Sequence, residues 1–212
     1  MVFRRRDKRS TGRLVREFFY PRGGWSRAAY YVSHRLRRLP DDPRRIARGI
    51  FAGVFVTFTP FYGFHFLTAA LVARVVNGNI LAALLGTFFG NPLTYVPIGV
   101  VSLKTGHFLL GTEFDETVHR SLFGKVYAAL SDVKENLLAL FTGAPADWSS
   151  LAVYYGEVFL PYLVGGICPG ILTGLIAYYL SVPVITAYQN RRKGRLKTKL
   201  AALRKKAPRR RP

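Results

Sequence analysis

The chain has little cysteine and little acid. Cys168 stands alone, so no intramolecular disulfide can form and no second thiol is at hand for a metal site. His34, His65, His107 and His119 lack ligand spacing, and no nucleophile elbow or phosphate-cradling glycine loop occurs. No catalytic set, cofactor or metal is therefore expected. The opening stretch, MVFRRRDKRSTGRLVREFFYPRGG, lacks the apolar run of roughly 7 to 15 residues that a secretory signal needs, so the arginine-rich start is expected to be retained.

Acids number 11 against 32 Lys and Arg, a formal net charge of +21, yet half of the residues are hydrophobic. One well-mixed soluble globule seldom combines the two, and here they are separated along the chain. Residues 1–48 hold fifteen bases and four acids, residues 188–212 hold twelve bases and no acid, and the middle holds five bases and seven acids. Between residues 46 and 111 the only charged side chains are Arg48, Arg74 and Lys104. A nucleic-acid binder would need a polar-surfaced folded domain to carry such basic ends, so anionic lipid headgroups are the simpler phosphate partner and no nucleic acid is expected.

Residues Trp25 to Leu39 place apolar side chains at helical spacing opposite a row of arginines, with Ser26 as a candidate cap. This helix lies either on a membrane surface or on the protein's own cytoplasmic face. In Pro40-Asp41-Asp42-Pro43, Asp42 can accept from free backbone N–H groups and Pro43 suits a first helical position, so a helix starts at about Pro43. The apolar run from Ile46 to Val76 would be about 46 Å long as one helix, against a hydrocarbon core of about 30 Å. Pro60 and Gly63 interrupt it near its middle, which favours a bent helix or a hairpin that enters and returns.

A second block, residues 80–111, is broken at Asn91-Pro92 and again at Pro97. Both blocks carry Gly-x-Phe upstream of a proline and a tyrosine shortly after it: Gly53, Phe55, Pro60 and Tyr62, then Gly86, Phe88, Pro92 and Tyr95. Paired interrupted apolar segments point to a binding site in transporter-like folds. Residues 113–141 form an amphipathic stripe within a stretch of net negative charge, expected outside. Asp147 can cap a last helical region beginning near Trp148, whose clearest span is Tyr162 to Tyr188.

Basic flanks put both termini in the cytoplasm, so the number of crossings must be even, although there are three apolar blocks. Residues 46–76 are expected to make no net crossing, residues 80–111 to cross outward and residues 160–187 inward. The alternative is a topology in which both early blocks are hairpins. The fold class expected is thus an all-α integral membrane protein with two to four short or broken transmembrane helices, at least one re-entrant hairpin, and amphipathic surface helices. Its parts are a basic segment 1–24, a membrane domain 25–190 and a basic cytoplasmic tail 191–212.

Polar side chains at membrane depth are costly unless partnered, which singles out His65 and Asn91 beside the two breaks. With Tyr62, Tyr95, Thr59 and Thr94 they form a candidate ligand-binding pocket, Pro60, Gly63 and Pro92 being the structural breaks. Alternatively, His65 and Asn91 only satisfy backbone groups freed by the prolines. Lys104, His107 and Glu157 read as interfacial residues, or Glu157 as a partner for a base.

The run from Pro43 to Ile98 resembles the bacterial membrane family known as domain of unknown function 2062. The likeness rests on Gly53, Phe55, Pro60 and Gly63, on the Asn79 turn, and on Gly86, Asn91 and Pro92, and it extends over roughly residues 25–190. It implies a bacterial inner-membrane, multi-pass protein. Some similar domains are joined to glycosyltransferases, which implies envelope chemistry. Two functions follow as expectations: binding or translocation of an anionic or lipid-linked phosphate lipid, or a non-catalytic scaffold for a cytoplasmic or glycosyltransferase partner or another envelope protein.

Overall fold

In a computed structural model, residues 24–112, 118–142, 145 and 147–206 are described, and these are helical with no strand among them. Helix α1 spans Gly24–Arg37, α2 Pro43–Val56, α3 His65–Val75 and α4 Ile80–Gly86. A 3₁₀ turn, Thr87–Phe89, leads through Gly90 and Asn91 to α5, Pro92–Leu110. Helices α6 (Val118–Thr142) and α7 (Ser149–Tyr154) follow, and a π-helical turn, Tyr155–Phe159, joins α7 to α8, Leu160–Lys206.

The helix starts follow from local chemistry. Asp42 accepts from the backbone N–H groups of Arg44 and Arg45 at 2.8 and 3.3 Å, and Pro43 takes the position where its missing N–H costs nothing. Asn79 accepts from Ala82 N–H at 2.8 Å to start α4. Asn91 accepts from Leu93 and Thr94 N–H while Thr94 Oγ1 accepts from Asn91 N–H, a reciprocal cap for α5. Ser26 does not serve as the cap expected of it. Helix α1 begins two residues earlier, at Gly24, so Ser26 lies inside its first turn.

Helix α2 is the hub of the molecule. Ile46, Ile50, Val54 and Phe58 form one buried cluster with Ala82, Ile98 and Ile185, and Ala52 and Val56 form another with Ala69, Ala73 and Ala83. Close approach depends on glycine. A methyl at Gly49 or Gly53 would strike the backbone of α4, one at Gly166 the Phe58 carbonyl, and one at Gly106 the Pro161 carbonyl. Without a strong hydrophobic drive between apolar helices, such small-residue contacts are what let backbones pack.

The chain reverses between α2 and α3. Beyond α3 it has returned to the start of α2, where Asn79 N–H donates to Arg45 O at 2.8 Å and Arg48 Nε to Asn77 O at 3.0 Å. Residues 43–76 are thus a helical hairpin with α2 wrapped by α3, α4 and α8 and α3 on the outside, where Phe66, Leu67, Leu71 and Val75 are exposed. Helix α4 then runs beside α2, and α5 continues beyond the break to pack against α8. Among the described residues, two segments are long and apolar enough to cross a membrane by length and composition, Pro92–Leu110 and one within Ser149–Thr198. Large apolar side chains stand exposed along both, among them Val96, Phe108, Leu172 and Leu180.

Helix α1 packs on the protein, its Leu36 resting against the cluster around Ile46 and Ile185. The amphipathic helix expected over residues 113–141 is α6; residues 113–117 lie outside the described residues, as do the basic segment 1–23 and residues 207–212. Helix α6 is fastened to the region before α8. Asp132 accepts from Leu151 N–H at 2.9 Å, Asn136 Oδ1 accepts from Asp147 N–H at 2.8 Å, and Lys125 pairs with Glu157 at 2.6 Å.

Candidate functional site at the helix breaks

At the reversal after α2, backbone carbonyls that already accept from turn or helix N–H groups receive a second hydrogen bond from short polar side chains. Thr57 Oγ1 donates to Val54 O and Thr59 Oγ1 to Val56 O, both at 2.7 Å. Thr68 Oγ1 donates to Phe64 O at 3.0 Å. The second break repeats the device, Thr87 Oγ1 reaching Leu84 O at 2.7 Å and Thr94 Oγ1 reaching Phe89 O at 2.6 Å. Threonine suits this task because its hydroxyl can fold back onto a carbonyl three or four residues earlier. Gly63 completes the reversal with φ of +87°, a left-handed conformation costly for a residue with a Cβ.

His65 joins the two breaks. Its Nε2 donates to Thr59 O at 3.2 Å, and its Nδ1 accepts from the Tyr95 hydroxyl at 3.2 Å. The carbonyl requires the proton on Nε2, and in the neutral ring this leaves Nδ1 to accept from the Tyr95 hydroxyl. The His65 and Tyr95 rings stack at 5.9 Å between centroids, and Tyr62 meets both edge-on at 5.5 and 5.6 Å. Tyr62 in turn donates its hydroxyl to that of Tyr162 in α8 at 2.9 Å. One cluster of three tyrosines and a histidine therefore ties the hairpin turn to α5 and α8.

A cavity of about 190 Å³ opens beside it, walled by His65, Tyr95, Gly63, Gly90, Thr87 and the exposed rings of Phe66 and Phe88. Of the six residues expected to line a pocket, the structure brings Tyr62, His65 and Tyr95 together with the Thr59 carbonyl. Asn91 and Thr94 are turned instead to the α5 cap and face a separate apolar groove. Sequence reasoning missed Tyr162, which lies one hundred residues from its partner and has no local signature in FLPYLVGG. The only available signal was a tyrosine next to the Gly165-Gly166 pair that brings α8 against the hairpin turn.

At the opposite end of the hairpin Asp41 gathers a second polar group. Its carboxylate accepts from Asn79 Nδ2 at 2.9 Å and lies 3.4 Å from Arg45 Nη1, while its carbonyl accepts from Gln189 Nε2 of α8 at 2.9 Å. The Asn79 amide, chiefly, with the Asp42 N–H and the guanidinium groups of Arg45 and Arg48, holds the Asp41 carboxyl below its ordinary range. The starts of α2 and α4 and the far part of α8 thus meet at one level. Among the described residues no set of three His, Cys, Asp or Glu is grouped to hold a metal ion.

A family model described as an uncharacterized protein conserved in bacteria, domain of unknown function 2062, matches residues 26–194. No curated protein and no solved structure matches the chain.

Proposed function

The chain belongs to this bacterial family, and we propose that it is an inner-membrane protein that binds an anionic or lipid-linked phosphate lipid at the paired helix breaks. In this reading residues 43–76 are a re-entrant hairpin entering from the cytoplasm. Helices α4 and α5 make one broken crossing outward, and α8 returns inward, so both basic termini are cytoplasmic. The exposed apolar faces of α3, α5 and α8 support immersion, since patches of this size on a water-facing monomer would promote association.

The observation that carries the binding reading is the hydrogen bond between His65 and Tyr95, two polar side chains from different broken segments that share one cavity wall. The backbone demands of the breaks are met by threonines, by Asn91 and by one His65 nitrogen. Tyr95 is not needed for that purpose. Rotation of its hydroxyl and protonation of His65 Nδ1 would turn both groups into donors aimed at the cavity, a fitting reception for a phosphate oxygen.

The test is purification in native lipid followed by mass spectrometry of what is retained. A phospholipid or polyprenyl phosphate should stay with the parent protein, and retention should fall about tenfold in His65→Ala and Tyr95→Phe, the loss of one or two charge-assisted hydrogen bonds. Binding coupled to protonation of Nδ1 should also tighten as the pH falls. Unchanged retention in both well-folded variants would refute the site. The second reading, a scaffold, is favoured by the helical continuation of α8 through Arg191–Lys206. Removing residues 191–212 should then abolish recovery of a cytoplasmic partner while membrane insertion survives.

A further inference from the structure

The hairpin has a second end, and a basic pocket lies there. Between the start of α2, the end of α3 and the turn before α4 is a cavity of about 490 Å³ walled by Arg45, Arg74, Asn77, Gly78 and Asn79, with Ile80 and Leu81 at its edge. No acid lines it. Arg45 is partly engaged by Asp41, whereas the Arg74 guanidinium makes no ion pair or hydrogen bond among the described residues. Both guanidinium groups are always charged, and the planar fork of Arg suits phosphate oxygens.

An apolar groove of about 470 Å³ lies farther along the same helix. Helix α1 roofs it with Val32 and Leu36, α2 contributes Ile50 and Val54, and α4 contributes Leu85. Leu81 at the edge of the basic pocket and Leu85 in the groove are four residues apart, so they share one face of α4 about 6 Å apart along its axis. A charged recess and an apolar trough joined by one helical turn of leucine match the two parts of an amphiphile.

We propose that this pair is a single site for an anionic phospholipid, its phosphate between Arg45 and Arg74 and one acyl chain passing Leu81 into the groove beneath α1. The phosphate end of the site is separate from the His65 cavity, since nine residues of α3 hold Arg74 about 14 Å from His65 along the axis. It rests on the membrane reading and not on the binding reading of the breaks. Asn77 and Gly78 add the adaptable backbone of a turn, Asn77 standing at φ of +51°.

The test is reconstitution in nanodiscs of zwitterionic phosphatidylcholine with a minority of phosphatidic acid, and counting retained phosphatidic acid by native mass spectrometry. Arg74→Ala should lower retention about tenfold, on the scale of a lost charge-assisted pair. Leu85→Trp, which fills the groove, should lower it while leaving the response to Arg74→Ala smaller than in the parent. Arg192→Ala, a basic substitution outside the site, should change it less than twofold by surface screening alone. Equal losses in Arg192→Ala and Arg74→Ala would overturn the site in favour of diffuse charge attraction. Displacement of the lipid by millimolar glycerol 3-phosphate, with no effect of Leu85→Trp, would overturn it in favour of a free-phosphate pocket. Carbonate extraction of each variant from membranes keeps failure to insert distinct from failure to bind, and His65→Ala should leave this retention unchanged.

Discussion

At the scale of single residues, most polar groups near the breaks answer to backbone demands, and Gly63 answers to backbone geometry alone. A Cβ there would meet nothing within 4 Å, so Gly63→Ala isolates the conformational cost of φ +87°. It should destabilise the protein by about 1 to 2 kcal/mol, seen as a lower melting temperature in detergent. Asp41 supplies a pH signature. Its carboxyl is held below the ordinary value of 3.8, so its contribution to stability is in full force above that value and is lost as pH falls through the lower folded value. The parent should therefore lose stability from about pH 4 downward, measured by denaturation across pH 2 to 6, and Asp41→Asn should flatten that limb.

At the scale of elements, glycines make the closest contacts between α8 and its neighbours. Gly166→Val places a branched side chain against the Phe58 carbonyl and should cost several kcal/mol, of the order of severe overpacking, shown by loss of a monodisperse folded species. Gly194→Val in the exposed part of the same helix has open space and should cost less than about 1 kcal/mol. Local chemistry made the element starts readable before any fold was at hand: Asp42-Pro43, Asn79 and Asn91-Pro92 each combine a capping acceptor with a proline or a turn. The reversal at Pro60 and Gly63 was readable for the same reason. What periodicity could not supply was which break faces which. Tyr95 meets His65, and Asn91 does not, because the cap fixes the Asn91 side chain onto its own helix before any tertiary contact is made. Tyr162 was beyond reach because its role depends on how deeply the glycines of α8 let it sink toward Phe58.

At the scale of the molecule, charge parity and hairpin geometry meet. The proposed topology places Gly78 and Gly194 on one side of the membrane and Gly111 on the other. Single cysteines at these positions in a Cys168→Ser background should separate accordingly with a membrane-impermeant maleimide: Gly111→Cys labels in intact spheroplasts, and Gly78→Cys and Gly194→Cys label only after lysis. Labelling of all three on one side would mean no net crossing between residues 78 and 194 and would overturn that topology.

The length of α8, which runs from Leu160 to Lys206, has a further effect on the tail. Gln189 is held at the level of Asp41, at the start of the hairpin, and 17 residues of helix continue beyond it to Lys206. A straight rod of that length reaches about 25 Å, some three times the distance over which physiological salt screens a charge. In the proposed topology this rod would lead from the bilayer toward the cell interior, and its far end would lie out of reach of the bilayer's own potential. Because residues 188–212 carry no acid, the counterpart of that end would be an acidic surface that comes to it.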